Sequence, residues 1–575
     1  MLIFKLTMMR KITVIFFVLF AACTKLKTPI ESQYVPQTPV TQADYTGYLN
    51  AIYSQLADNQ SGTRYAVEYF RLQELSTDEA VIPARNGNYD DGGQYRLLHL
   101  HTWSPDHPTV TSVWQWGFQA INTCNTMIQQ FGKAAASPLK TSSIAEAKAV
   151  RDLYYFFLMD LYGNIPIVSD TVPGPVAPAT RSRADVFAYV ENDLKSILGS
   201  LPTAVGQPTY GHATKWMAFA LLEKMYLNAQ VYTGTPRYTD AVAMADSIQL
   251  SGLFSLDANY GSVFAPTNGP AVKETIFAIP YDANLIKGNQ MTRYGFAAYV
   301  YPLYNLPNAG SVAMSTDSGY YHQNFGFPGD TRDTFWLRGP QKYFVGQAIN
   351  TALYPSSILG LLGQLYPAAI YPTTNATLDA NYNGVKNANV LYSTGTAPSS
   401  TVFWQVTYRD SLVLRGDPIK MDVGDDILAQ CEGIRSKKFY PDPNENPSSQ
   451  DQNNDFPVFR LADVLLMKAE AILRGAAPTS VKGVMQTPVV LMNLVRSRVG
   501  AKVAVDPITV DSVLPERARE FAWECWRRND LIRFGQFENG WGFKKPGAAD
   551  ATRQLFPVPT TELSTNQNLR QNPGY

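Results

Sequence analysis

Cysteine is scarce: the 575 residues hold 4, at Cys23, Cys124, Cys431 and Cys525. Three widely spaced thiols beyond Cys23 exclude a disulfide framework and read as small core residues. Charge excess is also missing. Lys and Arg number 48 against 48 Asp and Glu, for a formal net charge of zero. With no basic stripe, nucleic acid is not an expected partner. Beyond the N-terminus no stretch reaches 18 uninterrupted apolar residues, so no later segment is expected to span a bilayer as a helix.

Histidine is rare as well, 5 in all, yet His99, His101 and His107 crowd into HLHTWSPDH (99–107). On an extended segment His99 and His101 share a face, as two metal ligands would. Pro105 interrupts any central strand before His107, and no cysteine is near. No metal or other cofactor is expected, and Trp103 becomes the residue of interest.

What is abundant is aromatic: 12% of the chain, including 33 Tyr and 9 Trp. Such rings either pack a core or present flat apolar faces to a ligand. The N-terminus sets the compartment. Arg10 and Lys11 precede an apolar run, Ile12 to Phe20, too short for a stable anchor, and Ala21 and Ala22 precede Cys23. This is a secretory signal over residues 1–22, with Cys23 placed as the acylated residue of a lipoprotein. Residues 23–41 are polar and suit a tether.

From 42 to 250 the pattern is helical. Tyr45, Tyr48, Leu49, Ile52 and Leu56 recur at spacings of three and four. Ser143 with Glu146 reads as a capping box, as does Ser182 with Asp185, and Gly163 as a helix stop. Residues 212–232 and 238–250 read as a helical hairpin, one of several in a tetratricopeptide-like stack. From 251 to 455 Gly, Pro, Asn, Ser, Thr and Tyr dominate, and the region reads as ordered loops carrying function. Helices return at 459–474, 488–499 and 514–534. The fold class is therefore mainly α with little β: one domain over 42–575, with a helical scaffold (42–250 and 456–575) and a loop-rich ligand-binding subdomain (251–455).

Two stretches hold candidate sugar platforms: RNGNYDDGGQYRLLHLHTWSPDH (85–107), with Tyr89, Tyr95 and Trp103, and RYGFAAYVYPLYN (293–305), with Tyr299, Tyr301 and Tyr304. Tyr320 and Trp336 follow, and Asp58 and Asp78 are polar candidates near helix ends. A stacked ring covering roughly 50–100 Å² of a sugar face contributes about 1–2.5 kcal/mol. The carboxylates Glu516, Glu520 and Glu524 share a helical face among five arginines and read as a salt-bridge lattice. The adjacent pairs Asp90-Asp91 and Asp425-Asp426 read as polar turns, so no hydrolase is expected.

Several segments then point to a family: ELSTDEAV (74–81), WQWGFQAINTCN (114–125), RDLYYFFLMDLYGNIPIV (151–168), GHATKWMAFALLEKMYL (211–227), FPVFRLADVLLMKAEAIL (456–473), ERAREFAWECWRRNDLIRFGQF (516–537) and the ending FPVPTTEL…NQNLRQNPGY. In this order and spacing the chain resembles the SusD/RagB family of outer-membrane nutrient-binding lipoproteins. The resemblance implies four tetratricopeptide-like hairpins and a loop-rich layer above them. It implies a non-catalytic protein, lipid-anchored at the outer membrane and exposed on the cell surface. Such a protein binds glycan oligomers and delivers them to a SusC-like TonB-dependent transporter. Surface-exposed members often carry acidic residues just after the lipid cysteine, whereas Lys25 and Lys27 stand here. Peptides or another nutrient are the alternative cargo.

Overall fold

The computed structural model describes residues 38–57, 62–168, 177–296, 304–307, 314–346, 371–372, 390–394, 401–425, 427–547 and 551–575. The signal segment and Cys23 lie outside them.

The long helices are α1 (Gln42–Ala57), α2 (Pro108–Lys133), α3 (Pro138–Tyr162), α4 (Arg183–Ile197), α5 (Lys215–Leu227), α6 (Tyr238–Ser251), α7 (Leu461–Leu473) and α8 (Pro488–Arg498). α2 packs on α3, α5 on α6, and α7 on α8, while α6 also packs on α7 and so joins two of these pairs. Gly117 permits the close approach of α2 to α3, because a Cβ there would fall 2.7 Å from Leu158. From Ala145 to Tyr162 α3 is buried almost all round, with Glu146, Arg151, Asp152 and Asp160 buried among its apolar residues.

Caps set the boundaries. Ser182 and Asp185 form the expected box, and Gly163 ends α3 at φ 69°. The expected start at Ser143 is wrong, because Ser137 caps α3 one turn and more earlier and Pro138 takes the first helical position. α2 is capped by His107, whose Nδ1 accepts from the Val110 amide at 3.4 Å.

The loop-rich region hangs from a two-stranded ladder. β1 (Thr275–Ile279) pairs antiparallel with β8 (Phe456–Arg460), Thr275 opposite Arg460 and Ile279 opposite Phe456. Between them β2 (Trp336–Leu337) pairs with β7 (Arg435–Ser436). A four-stranded sheet runs in the order β3 (Gly339–Gly346), β6 (Thr401–Tyr408), β5 (Val390–Thr394), β4 (Tyr371–Pro372). The segments GPQKYFVG, VLYST and TVFWQVTY are rich in β-branched and aromatic residues and pair as strands, where loops were expected. Phe277, Tyr320 and Trp336 join the same hydrophobic cluster as α3, so scaffold and loop region share one core.

The expected helix over 514–534 is broken. α9 (Val513–Phe521) ends before Trp523 and Cys525, which sit at φ 60° and 66°, and α10 begins at Arg527 (Arg527–Arg533). The break is held from outside: the Cys525 amide donates to Glu74, and the Lys438 ammonium donates to the carbonyls of Glu520 and Ala522, both at 2.9 Å. The lattice is present and buried. Glu520 takes Arg460 at 2.6 Å, Arg332 at 3.0 Å and Arg498; Glu516 takes Arg496, Arg519 and Arg332. Glu524 pairs with Arg460 and Lys438 rather than with Arg528, because it lies in the break and not one turn below Arg528 on a helix. Burial lowers Lys438 to about 8. Cys124, Cys431 and Cys525 form no disulfide among the described residues and are buried, as small core residues.

Candidate functional site

NGNYDDGG folds into a loop of left-handed residues: Asn86, Gly87, Tyr89, Asp91, Gly92 and Gly93 all have positive φ. Its entry is pinned. Arg85, buried, donates to the Ala429 carbonyl at 2.6 Å, and its backbone closes a tight turn with Asn88. The Asn86 amide N–H donates to Asp422 at 2.9 Å, and the side-chain amide reaches Asp425 at 3.4 Å. Its exit is pinned by Arg96 on Asp90 at 3.0 Å. Between these anchors Asn86, Asn88 and Asp91 are exposed and Tyr89 is half-buried.

The two aromatic stretches meet at one cation. The Arg71 guanidinium lies 5.2 Å from the Tyr95 ring centre and 4.9 Å from that of Tyr294. Nothing in the spacing singled out Arg71; it belongs to a short helix (Phe70–Glu74) two segments upstream. Tyr304 is half-buried and packs edge-on against Phe296 and Tyr440, whose own ring is exposed.

Several candidate platforms have no face to offer. Trp103 is 2% exposed, packs on His101 and Phe556, and donates its indole N–H to the Tyr575 hydroxyl at 2.6 Å. Tyr95 at 6%, Tyr320 at 2% and Trp336 at 7% are core rings too. Trp336 sits among Tyr321, Phe325 and Trp523. Their chemistry suits either role, and only burial separates the two. Asp58, Tyr299 and Tyr301 lie outside the described residues. Asp78 is half-buried and held bidentate by Arg527, at 2.7 and 2.6 Å, on the wall of a separate cleft.

The histidines are structural. His101 stacks on Phe537 at 4.4 Å and donates Nε2–H to the Ser76 carbonyl; His107 caps α2. Burial lowers His99 to about 4 and holds His101 well below the ordinary imidazole value, so both are neutral at pH 7. Among the described residues no group of three His, Cys, Asp or Glu is arranged to hold a metal.

Beneath Tyr320 lies a buried carboxyl pair. Tyr320 donates to Glu79 at 2.5 Å, and Glu74 lies beside Glu79. Burial and the neighbouring carboxylate raise Glu74 well above the usual range, and burial raises Glu79 to about 7. A carboxyl raised in the folded state adds stability that is full below its unfolded value near 4.3. That stability is lost as pH rises toward 7, a swing of roughly 2–4 kcal/mol. Glu79→Gln is therefore expected to raise Tm at pH 8 and to change it little at pH 4.5. Calorimetry at the two pH values checks this, and an equal shift at both would refute it.

Comparison with known proteins agrees with this architecture. Residues 273–575 match the family described as SusD family, and residues 31–227 match one described as starch-binding, associating with outer membrane. A starch-binding protein SusD from Bacteroides thetaiotaomicron is 24% identical over 532 residues, covering 88% of this chain and 85% of that protein. SusD-like protein P25 from Formosa agariphila is 22% identical, covering 95% and 94%. Among solved structures, surface glycan-binding protein A from Bacteroides thetaiotaomicron, in complex with laminarihexaose, superposes with a TM-score of 0.66 at 18% identity. It covers 93% of this chain and all of that one.

Proposed function

Because the chain belongs to the SusD family, we propose that it is a non-catalytic lipoprotein that binds glycan oligomers at the outer membrane and hands them to a SusC-like TonB-dependent transporter. The observation that carries the binding is the 85–93 loop, whose left-handed backbone is fixed at both ends by buried or paired charges. A loop already ordered loses little freedom when it meets a ligand. It presents the Tyr89 ring for a pyranose face, with Asn86, Asn88 and Asp91 beside it for hydroxyls. The relative named for starch binding and the solved structure in complex with laminarihexaose support the same cargo class.

Affinity electrophoresis against a panel of neutral polysaccharides tests this. Retardation by at least one is expected, and Tyr89→Ala is expected to weaken it about tenfold, the loss of roughly 1–2 kcal/mol of ring burial. No retardation by any glycan, with binding to a peptide mixture instead, would give the protein a different cargo. The anchor is tested apart from the cargo. Cys23→Ala is expected to move the protein from the membrane fraction to the soluble one, and proteolysis of intact cells reports surface exposure.

A further inference from the structure

A second concave site lies at the far end of the short helix Gln94–His99 from Tyr95. It is a cleft of about 470 Å³, walled by the helix Ser318–Asn324, the start of α9 and the 536–542 loop. Asp78, Tyr320 and Arg527 belong to its lining. Its 536–542 wall approaches closely because residue 542 is glycine: at φ 49°, a Cβ there would fall 2.9 Å from the Asp317 carboxylate and 3.2 Å from His99.

The lining has the mixture that polyhydroxylated ligands require. Trp541 supplies a half-buried ring, braced by Phe537, by His101 at 5.4 Å and by the Lys544 ammonium at 4.0 Å. Gln323 and Asn539 are exposed and bring side-chain amides that offer both a donor and an acceptor. Asp317, which caps the helix Ser318–Asn324, and the exposed Asp511 bring acceptor oxygens. Two donors in this lining, Arg527 Nη1 and Trp541 Nε1, have no hydrogen-bond partner among the described residues, although the Arg527 side chain is only 6% exposed. Unpartnered buried donors are costly and mark places where a ligand oxygen is welcome.

Charge narrows the ligand. Arg527 is paired with Asp78, and among the described residues no cation forms an ion pair with the other two carboxylates of the lining, Asp317 and Asp511. An anionic sugar would meet like charge and lose affinity, whereas a neutral one places hydroxyl protons on those oxygens.

We propose that this cleft is a second saccharide subsite, selective for neutral sugars and separate from the Tyr89 loop. The inference rests on the glycan-binding reading above. Two weak sites on one rigid chain would hold a polymer longer than either alone, since the second contact forms at high effective concentration.

Calorimetric titration with maltohexaose, laminarihexaose and an oligogalacturonate tests it, using wild type, Tyr89→Ala, the double variant Gln323→Ala/Asn539→Ala, and the triple variant. Both amides are exposed, so the double variant is expected to fold as wild type. Tyr89→Ala should keep measurable binding of a neutral hexaose. The triple variant should lose a further tenfold or more, and oligogalacturonate should not bind the Tyr89→Ala protein. If Tyr89→Ala removes all binding, or if the triple and single variants match, the cleft is not a subsite. Equal binding of oligogalacturonate by the Tyr89→Ala protein would overturn the neutral selectivity. If wild type binds no glycan at all, the glycan reading itself fails, and the subsite with it.

Discussion

Glu520→Ala is expected to destabilise the protein by about 3–5 kcal/mol, the usual cost of removing one partner from a buried ionic cluster. The carboxylate receives guanidinium N–H groups from Arg332, Arg460 and Arg498, and its own side chain is fully buried. Its removal leaves these three cations, together with Arg496, Arg519 and Lys438 of the same cluster, facing only Glu274, Asp330, Glu516 and Glu524. The first three come from the loop-rich region, from the β8–α7 junction and from α8, so the loss is felt across the molecule. Guanidinium chloride unfolding at pH 7 checks it. A change below about 1 kcal/mol, the range of an exposed pair, would mean that the cluster contributes little.

The same cluster predicts an acid limit. Paired guanidinium groups hold Glu520 far below the usual carboxylate range, and hold Glu516 down to about 2. A carboxyl depressed in the folded state contributes stability that is complete above its unfolded value of about 4. That stability is lost as pH falls from there toward 2. Wild type should therefore weaken steeply over that window, and its advantage over Glu520→Ala should shrink with it.

The second large effect is at Trp103. Trp103→Ala is expected to cost about 3–5 kcal/mol, through a cavity beside Phe556 and His101. The Tyr575 hydroxyl loses a donor in the same step. The indole also braces the end of the chain, since Arg553 donates to the Trp103 carbonyl and lies over the Tyr575 ring. The variant should show a lower Tm and unchanged glycan affinity per folded molecule. A stable variant with lost affinity would return Trp103 to the role of platform.

These residues show what was legible beforehand and what was not. Helices were readable wherever caps and periodicity agreed, as at Ser182 and Gly163. The lattice around Glu516 and Glu520 was readable as well, because alternating charges at helical spacing have few other uses. The break at Trp523–Cys525 was not, since FAWEC holds neither Gly nor Pro. The backbone is turned there by contacts from Glu74 and Lys438, both distant in sequence. Aromatic roles were the hardest to assign. Tyr89 and Trp103 stand fourteen residues apart in one stretch, yet one stands on a pinned loop and the other is sealed beneath the C-terminal segment. That difference is made by Asp422, Ala429, Phe556 and Tyr575, which no local pattern reveals.

The β1–β8 ladder has a consequence for how such a chain diversifies. Everything from Pro280 to Asp455 leaves and re-enters the scaffold at neighbouring points, with Ile279 opposite Phe456. The excursion is closed at its neck, so lengthening it adds only about 0.6 kcal/mol of closure entropy per doubling. Segments of the excursion other than those that carry Tyr320, Arg332, Trp336 and Lys438 can therefore be exchanged while the helical stack and its charge lattice stay as they are, which makes the neck an entry point for new specificities.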